Sequence, residues 1–256
     1  MSTTPPARTD RELDVVLVGA SGFVGQLTAA HLAAEAGSAR IALAGRSTAR
    51  LTAVRDELGA AAADWPIIEV DAHDSDGLRA LAARTRVVAT TVGPYHKLGM
   101  PLAAACALRG THYADLTGEV LFVRRCADML HEEARRSGAR IVNSCGFDSV
   151  PSDLAVLLTA TAALEAHDGG LTDATLYVRK LRAGFSGGTV DSARQQAIAM
   201  AEDPWAKKVL TDPYALSADR DHEPRRRTRS GSGSGSGAAS GSSVGAVLGA
   251  LTRSAK

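Results

Sequence analysis

Three glycines stand at even spacing near the start of the chain: Gly19, Gly22 and Gly25, in GASGFVG. They follow directly on the apolar run Val15–Val18 and open a stretch, Phe23–Ala36, whose apolar residues recur with helical spacing. A strand that turns sharply into a helix needs glycine where the backbone bends, and again where a phosphate must come up against main-chain N–H groups. The first turn of such a helix offers unpaired N–H groups and the positive end of its dipole. The chemistry this loop suits is therefore the holding of a dinucleotide's pyrophosphate. Ser21, Phe23 and Val24 lie between the glycines and belong to the same candidate loop. The G-x-x-G-x-x-G spacing is one residue longer than G-x-G-x-x-G and predicts a slightly wider turn; a purely structural turn is the alternative.

A second pair closes the next apolar run, Ile41–Ala44: Arg46 and Ser47, in LAGRS. A site for NAD carries Asp or Glu roughly 20 residues past the glycines, to hold the ribose 2′-OH. A guanidinium there can instead grip a 2′-phosphate through two hydrogen bonds and stack on adenine. The cofactor these residues predict is NADP(H), with Arg46 as a surface residue capping the next helix as the alternative reading. Thr90, Thr91, Val92 and Gly93 follow the fourth apolar run and are expected along the cofactor's second ribose and nicotinamide, with Pro94 and Tyr95 shaping the wall beyond. Tyr95 is a candidate proton donor or a packing residue. In THYADLTGE, His112, Tyr113, Asp115, Thr117 and Glu119 are expected at the end of the fifth strand, facing a substrate; alternatively Asp115 and Thr117 satisfy loop amides and cap a helix. Cys145 is expected to be a small buried residue, and Asp148 a carboxylate for substrate or loop.

Parallel strands buried on both faces must position these groups. Short apolar runs are Val15–Val18, Ile41–Ala44, Pro66–Val70, Arg86–Thr91, Thr111–Leu116 and Ala139–Asn143. Helical spacing falls between them, over Phe23–Ala36, Thr48–Leu58, Ser75–Ala83, Met100–Leu108 and Glu119–Ser137. Strand and helix in unbroken alternation predict an α/β fold, a doubly wound parallel sheet of the Rossmann type with right-handed crossovers. Its expected extent is residues 14–150, after a flexible stretch 1–13. Residues 151–218 read as an incomplete mixed α/β substrate domain. It has a helix capped by Ser152, a strand over Asp173–Lys180 and a helix from Thr189. Residues 219–256, rich in Ser, Gly and Arg, read as a disordered tail.

A formal net charge of +1 supplies no general pull towards nucleic acid, and the basic run at Arg225–Arg227 and Arg229 reads as a solvated linker. The cysteines are Cys106, Cys126 and Cys145, widely spaced and without C-x-x-C pairs, so neither a disulfide framework nor a zinc or other metal site is predicted. The amino terminus lacks the apolar core of a signal peptide, and no run approaches the roughly 20 apolar residues of a spanning helix. The expectation is a cytoplasmic chain with no transmembrane segment.

Taken together, GASGFVG, LAGR, TTVGPY, LGMPLAAAC, GTHYADLTGE, IVNSCGFDSVPSD, FSGGT and DPYALS resemble the saccharopine dehydrogenase-like oxidoreductases, over residues 14–220. Within that family the resemblance runs to the branch of trans-acting enoyl reductases. It implies an NADP-binding domain with Gly19, Ser21, Gly22, Phe23, Val24, Gly25 and Arg46 at the cofactor, joined by Gly93, Pro94 and Tyr95. It also implies reduction of a carrier-bound enoyl intermediate in lipid or polyketide-derived glycolipid assembly. The enzyme would act in trans on a polyketide synthase and stay soluble or peripheral to the membrane. Past DPYALS the chain departs from the family pattern, which predicts a truncated substrate domain. Tyr95 and His112 are the candidates for the catalytic acid. Two other functions fit the same residues: C–N oxidoreduction of an amino-acid adduct, and NADP or partner binding without turnover.

Overall fold

A computed structural model describes residues 11–167, 170–171, 174–180, 187–219, 221 and 223 of the 256 in the chain. Six parallel strands form one sheet: β1 (Leu13–Val18), β2 (Ile41–Gly45), β3 (Ile67–Glu69), β4 (Thr85–Thr90), β5 (His112–Asp115) and β6 (Ile141–Val142). Their order is β3-β2-β1-β4-β5-β6. The chain winds outward from β1 in one direction and then, from β4, in the other, which makes the β1–β4 boundary the point where a crevice opens above the strands' carboxyl ends.

Both faces of the central strands are buried, as their uninterrupted apolar runs require. On β1 and β2, Leu17, Ile41 and Leu43 pack one way, against α1 (Phe23–Glu35) and α2 (Thr48–Leu58), with Ala29, Leu51 and Trp65. Val16, Val18, Ala42 and Ala44 face the other way, with Val88 and Tyr113, onto α3 (Ser75–Arg84), α4 (Tyr95–Arg109) and α5 (Val120–Ser137). The face α5 turns to this core is set by a strict four-residue repeat, Phe122, Cys126, Leu130 and Ala134.

Three expectations about elements are corrected. The α4 helix starts at Tyr95 and not at Met100, with Pro94 as its N-cap and Pro101 inside it. The expected strand over Asp173–Lys180 is not formed: residues 174–180 carry no regular secondary structure, and all are exposed. Alternation of side chains is necessary for a half-buried strand but not sufficient, since a strand also needs a neighbour to take its N–H and C=O groups. The cap expected at Ser152 is not one: α6 (Val150–His167) begins at Val150 and already contains Ser152.

The chain divides into one compact unit that ends at residue 185 and a second from residue 186. The described part of the second unit holds α7 (Gly187–Glu202) and α8 (Pro204–Thr211). Asp203 caps α8 by accepting from the Trp205 N–H at 2.8 Å. The stretch expected to be flexible at residues 1–10 and the Ser/Gly/Arg tail from 224 lie outside the described residues. Among the described residues no helix is long and apolar enough to cross a membrane.

Candidate dinucleotide site

The crevice above β1 and β4 holds a cleft of about 540 Å³. Gly19, Ser21 and Gly22 of the loop after β1 form its floor. Gly19 has φ +88°, and a Cβ there would lie 2.7 Å from Val92 Cγ2 and 2.9 Å from Thr91 Oγ1. Gly25 brings helix against strand, because a Cβ on it would stand 2.1 Å from the Gly19 carbonyl oxygen. Gly22, the N-cap of α1, has no side chain to cap the helix. The first amides of α1 are thus left for a ligand, which is what a pyrophosphate needs. The loop is held by Gly22 N–H donating to Gly19 O at 3.0 Å, and by Gln26 Nε2 and Arg50 Nη2 donating to Ser21 O at 3.1 and 3.0 Å.

Arg46, Ser47 and Arg50 line the side of the cleft over β2. Ser47 caps α2 by accepting from the Arg50 N–H at 3.4 Å. Arg46 is exposed, and Arg50 lies one helical turn beyond it on the same cleft. Val70, Leu78, Leu98 and Leu102 give an apolar wall, with Asp71 and His73 at its rim. Thr91 and Gly93 line the β4 side; Thr91 Oγ1 donates to Gly19 O at 3.1 Å and so ties the loop of β4 to that of β1. The pieces suit NADP: uncapped amides, a glycine cradle that a methyl would fill, an apolar slot, and two guanidinium groups where an acidic residue would hold a 2′-OH.

The sequence-derived residues therefore separate. Gly19, Ser21, Gly22, Arg46, Ser47, Thr91 and Gly93 come together on the cleft; Gly25 and Val24 support it from α1, and Phe23 is 75% exposed at the helix start. Pro94 caps α4 outside the lining. Tyr95 is buried, with its ring on Phe122 and its O–H donating to Thr90 O at 3.1 Å. Burial, with Asp115 and Glu119 adding repulsion, drives the phenol's ionisation well above its ordinary value, so Tyr95 holds its proton inside the core. His112 opens β5 instead of closing it. It pairs in register with Val87, and its Nδ1 accepts from the Arg140 N–H at 3.0 Å, towards the amino ends of the strands and away from the crevice. Cys145 is exposed, not buried. Its thiol ionises above the ordinary range, chiefly because part of it is desolvated and then because of the Asp115 charge.

Spacing did not point to Arg50, Asp71, His73 or Leu98. Each sits on a helix or loop face that reads as ordinary surface or core until the sheet brings it to the cleft. Of the two readings open for the polar set after β5, the loop-organising one is found: Asp115 takes loop amides and Thr117 Oγ1 accepts from the Glu119 N–H at 3.0 Å. Asp115 is buried and accepts from the Thr117 and Ser144 N–H groups at 3.0 and 2.9 Å and from Asn143 Nδ2 at 2.7 Å. That fixes the loop after β6, where Ser144 has φ 60°. Glu119, 1% exposed, accepts from the N–H groups of Tyr95 at 2.8 Å and His96 at 2.9 Å, and lies 2.7 Å from His96 Nδ1. A buried carboxylate thus caps α4 from outside that helix.

This fold and site define a dinucleotide-binding Rossmann domain. Residues 15–142 match the family described as the saccharopine dehydrogenase NADP-binding domain, and the chain belongs to it; its cofactor is NADP. The chain is 51% identical over 215 residues to a protein of Mycobacterium leprae named trans-acting enoyl reductase, a match covering 84% of this chain and 51% of that one. It is 55% identical over 216 residues to a Mycobacterium tuberculosis protein provisionally given the same name, covering 84% and 52%. The chain spans about half the length of the curated relatives it matches. Among solved structures, apo saccharopine dehydrogenase (L-Glu forming) from Saccharomyces cerevisiae is 21% identical, with a TM-score of 0.48 over 61% of this chain and 32% of its own.

Proposed function

We propose that this chain is the cofactor-binding part of an NADPH-dependent enoyl reductase, which saturates a C=C bond conjugated to a thioester during lipid or polyketide-derived glycolipid assembly. The names of its relatives support the reaction, and their qualifier, trans-acting, supports a separate synthase as partner. The observation that carries the reading is the pairing of an uncapped α1 with Arg46 and Arg50 on one cleft. The amides at the start of α1 hold the pyrophosphate; Arg46 and Arg50 hold the 2′-phosphate; Thr91 and Gly93 border the path towards the nicotinamide half. When bound, NADPH supplies the hydride. The protein's own work is to orient the nucleotide, exclude water and supply a proton to the substrate. On this reading residues 14–150 are the cofactor domain and 151–218 belong to the part that receives the substrate.

The test is a fluorescence titration with NADPH and NADH, followed by a panel of 2-enoyl thioesters and amino-acid adducts in the presence of NADPH. Tighter binding of NADPH and its consumption with enoyl thioesters alone are the expected results. Consumption only with the adducts would redirect the reading to C–N chemistry. Binding without turnover of any panel member would leave a nucleotide-binding protein.

A further inference from the structure

Saturating a conjugated double bond requires a hydride at one carbon and a proton at its neighbour, and the candidates chosen by spacing for the proton do not reach the crevice. We infer that His96, held by Glu119, delivers that proton; the inference rests on the enoyl-reductase reading above. Next to the cleft, β5 pairs with β4 so that their carboxyl ends, Thr90 and Asp115, stand side by side on the edge of the sheet where ligands of such folds lie. Among the described residues near that edge, Asp148 lies beside Gly118 as an exposed carboxylate, and the other acidic or phenolic groups are engaged or buried. The Tyr95 hydroxyl is turned inward onto Thr90 O, and Asp115 is occupied by three donors. Tyr113 is 1% exposed, and the Cys145 thiol is held against ionisation. His96 stands in the first turn of α4, three residues past the cleft-lining Gly93, with its side chain 15% exposed.

Glu119 decides which ring nitrogen is available. Its Oε1 and Oε2 already accept backbone N–H groups, and Oε2 lies 2.7 Å from His96 Nδ1. A carboxylate that accepts at each of these contacts takes a hydrogen from Nδ1 as well, so Nε2 is the ring nitrogen left to face a substrate. The same bonds fix the ring on the end of α4, so the donor need not be ordered during reaction. The β-carbon of the enoyl thioester takes the hydride, and the π pair moves towards the thioester carbonyl. Nε2–H then protonates the α-carbon as the enolate pair forms the new C–H bond. The products are the saturated thioester, NADP⁺ and neutral imidazole, which regains its proton from water.

His96→Asn separates this role from a structural one, because the amide can still donate to Glu119 while Nε2 is gone. Two measurements on the full chain test it. In ¹⁵N spectra, the His96 ring signals, identified by their loss in the variant, are expected to shift when a saturated acyl-CoA joins the NADP⁺ complex. In steady-state assays with a 2-enoyl-CoA, the variant is expected to lose about 100-fold or more in kcat, with NADPH affinity within about twofold of the parent. Ring signals unmoved by the acyl-CoA overturn the inference whatever the turnover. So does a kcat near that of the parent, or a parallel loss of NADPH affinity, which would mean that His96 acts through the fold. A parent protein that binds NADPH yet reduces no enoyl thioester fails differently: it removes the enoyl-reductase reading itself, and the proton role with it.

Discussion

Glycines in one loop do different physical work, and substitution tells them apart. At Gly25 a methyl would meet the Gly19 carbonyl oxygen at 2.1 Å and Ala20 Cα at 2.8 Å, both backbone atoms that cannot rotate away. Gly25→Ala is expected to push α1 off β1 and to lower the thermal midpoint sharply, with nucleotide affinity lost as a consequence. Gly22 is exposed, and its added methyl would lie an ordinary 3.4 Å from Gly19 O. An alanine N-cap costs a helix only about 1 kcal/mol, so Gly22→Ala should fold. Its methyl nevertheless stands where phosphates approach the first amides of α1. The expected loss in NADPH affinity is about tenfold or more, roughly 1.4 kcal/mol, and unchanged affinity in a folded variant would remove this loop from the site. Charge at the other end of the nucleotide is tested separately. Arg46→Ala should weaken NADPH by about 1–3 kcal/mol, as for a lost charged hydrogen-bonding partner, and leave NADH nearly unchanged. Arg50→Ala should weaken both nucleotides, because its guanidinium also holds Ser21 O at 3.0 Å and with it the pyrophosphate loop.

Two of the helices that begin at the carboxyl edge of the sheet, α1 and α4, are finished in opposite ways. The α1 helix has no side-chain cap, whereas α4 is closed by Glu119, whose two oxygens take the N–H groups of Tyr95 and His96. A phosphate is therefore directed to α1, since the positive end of α4 already faces a carboxylate. Glu119→Ala would leave one buried and one part-buried donor without their acceptor, an expected loss of about 2–4 kcal/mol in unfolding free energy by urea denaturation. Glu119→Gln should lose less, keeping one accepting oxygen. This cap also explains what spacing could and could not show. The strands of the sheet were legible because burial on both faces leaves an unbroken apolar run, and α2 because Ser47 caps it from within the local sequence. The start of α4 was not legible, because its cap stands 24 residues further along the chain. His112 was assigned to the wrong end of β5, although as the second residue of the run Thr111–Leu116 its place near the amino end was already legible, and its register with Val87 agrees. Arg50 was missed for a related reason: a second arginine one turn along an exposed helix looks like solvated surface until β1 brings the Ser21 carbonyl beneath it.

Across the whole molecule, the two edges of the sheet divide the labour. The carboxyl ends carry the loops of the cleft; the amino ends are tied by charge, with Asp14 on β1 bonded to Arg40 before β2 at 3.0 Å and to Arg86 on β4 at 3.3 Å. Glu12 likewise pairs with Arg84 at 2.7 Å. The Asp14 carboxyl is held well below the ordinary carboxylate range, first by the Arg40 side-chain hydrogen bond, then by the Arg40 backbone N–H and, less strongly, by Arg86. Because folding lowers this pKa, the contribution is fully present above the unfolded value of about 3.9 and is lost as pH falls from there towards the folded value. Asp14→Asn should therefore lower the urea midpoint at pH 7, and the gap between variant and parent should shrink steadily below about pH 4. The pairs are partly exposed, so about 1 M salt should narrow the same gap at neutral pH by screening. NADPH affinity, measured where both proteins are folded, should not follow Asp14, because the pair lies at the end of the strands opposite the cleft. A gap that persisted unchanged into acid would mean that Asp14 acts through packing at β1 and not through its charge.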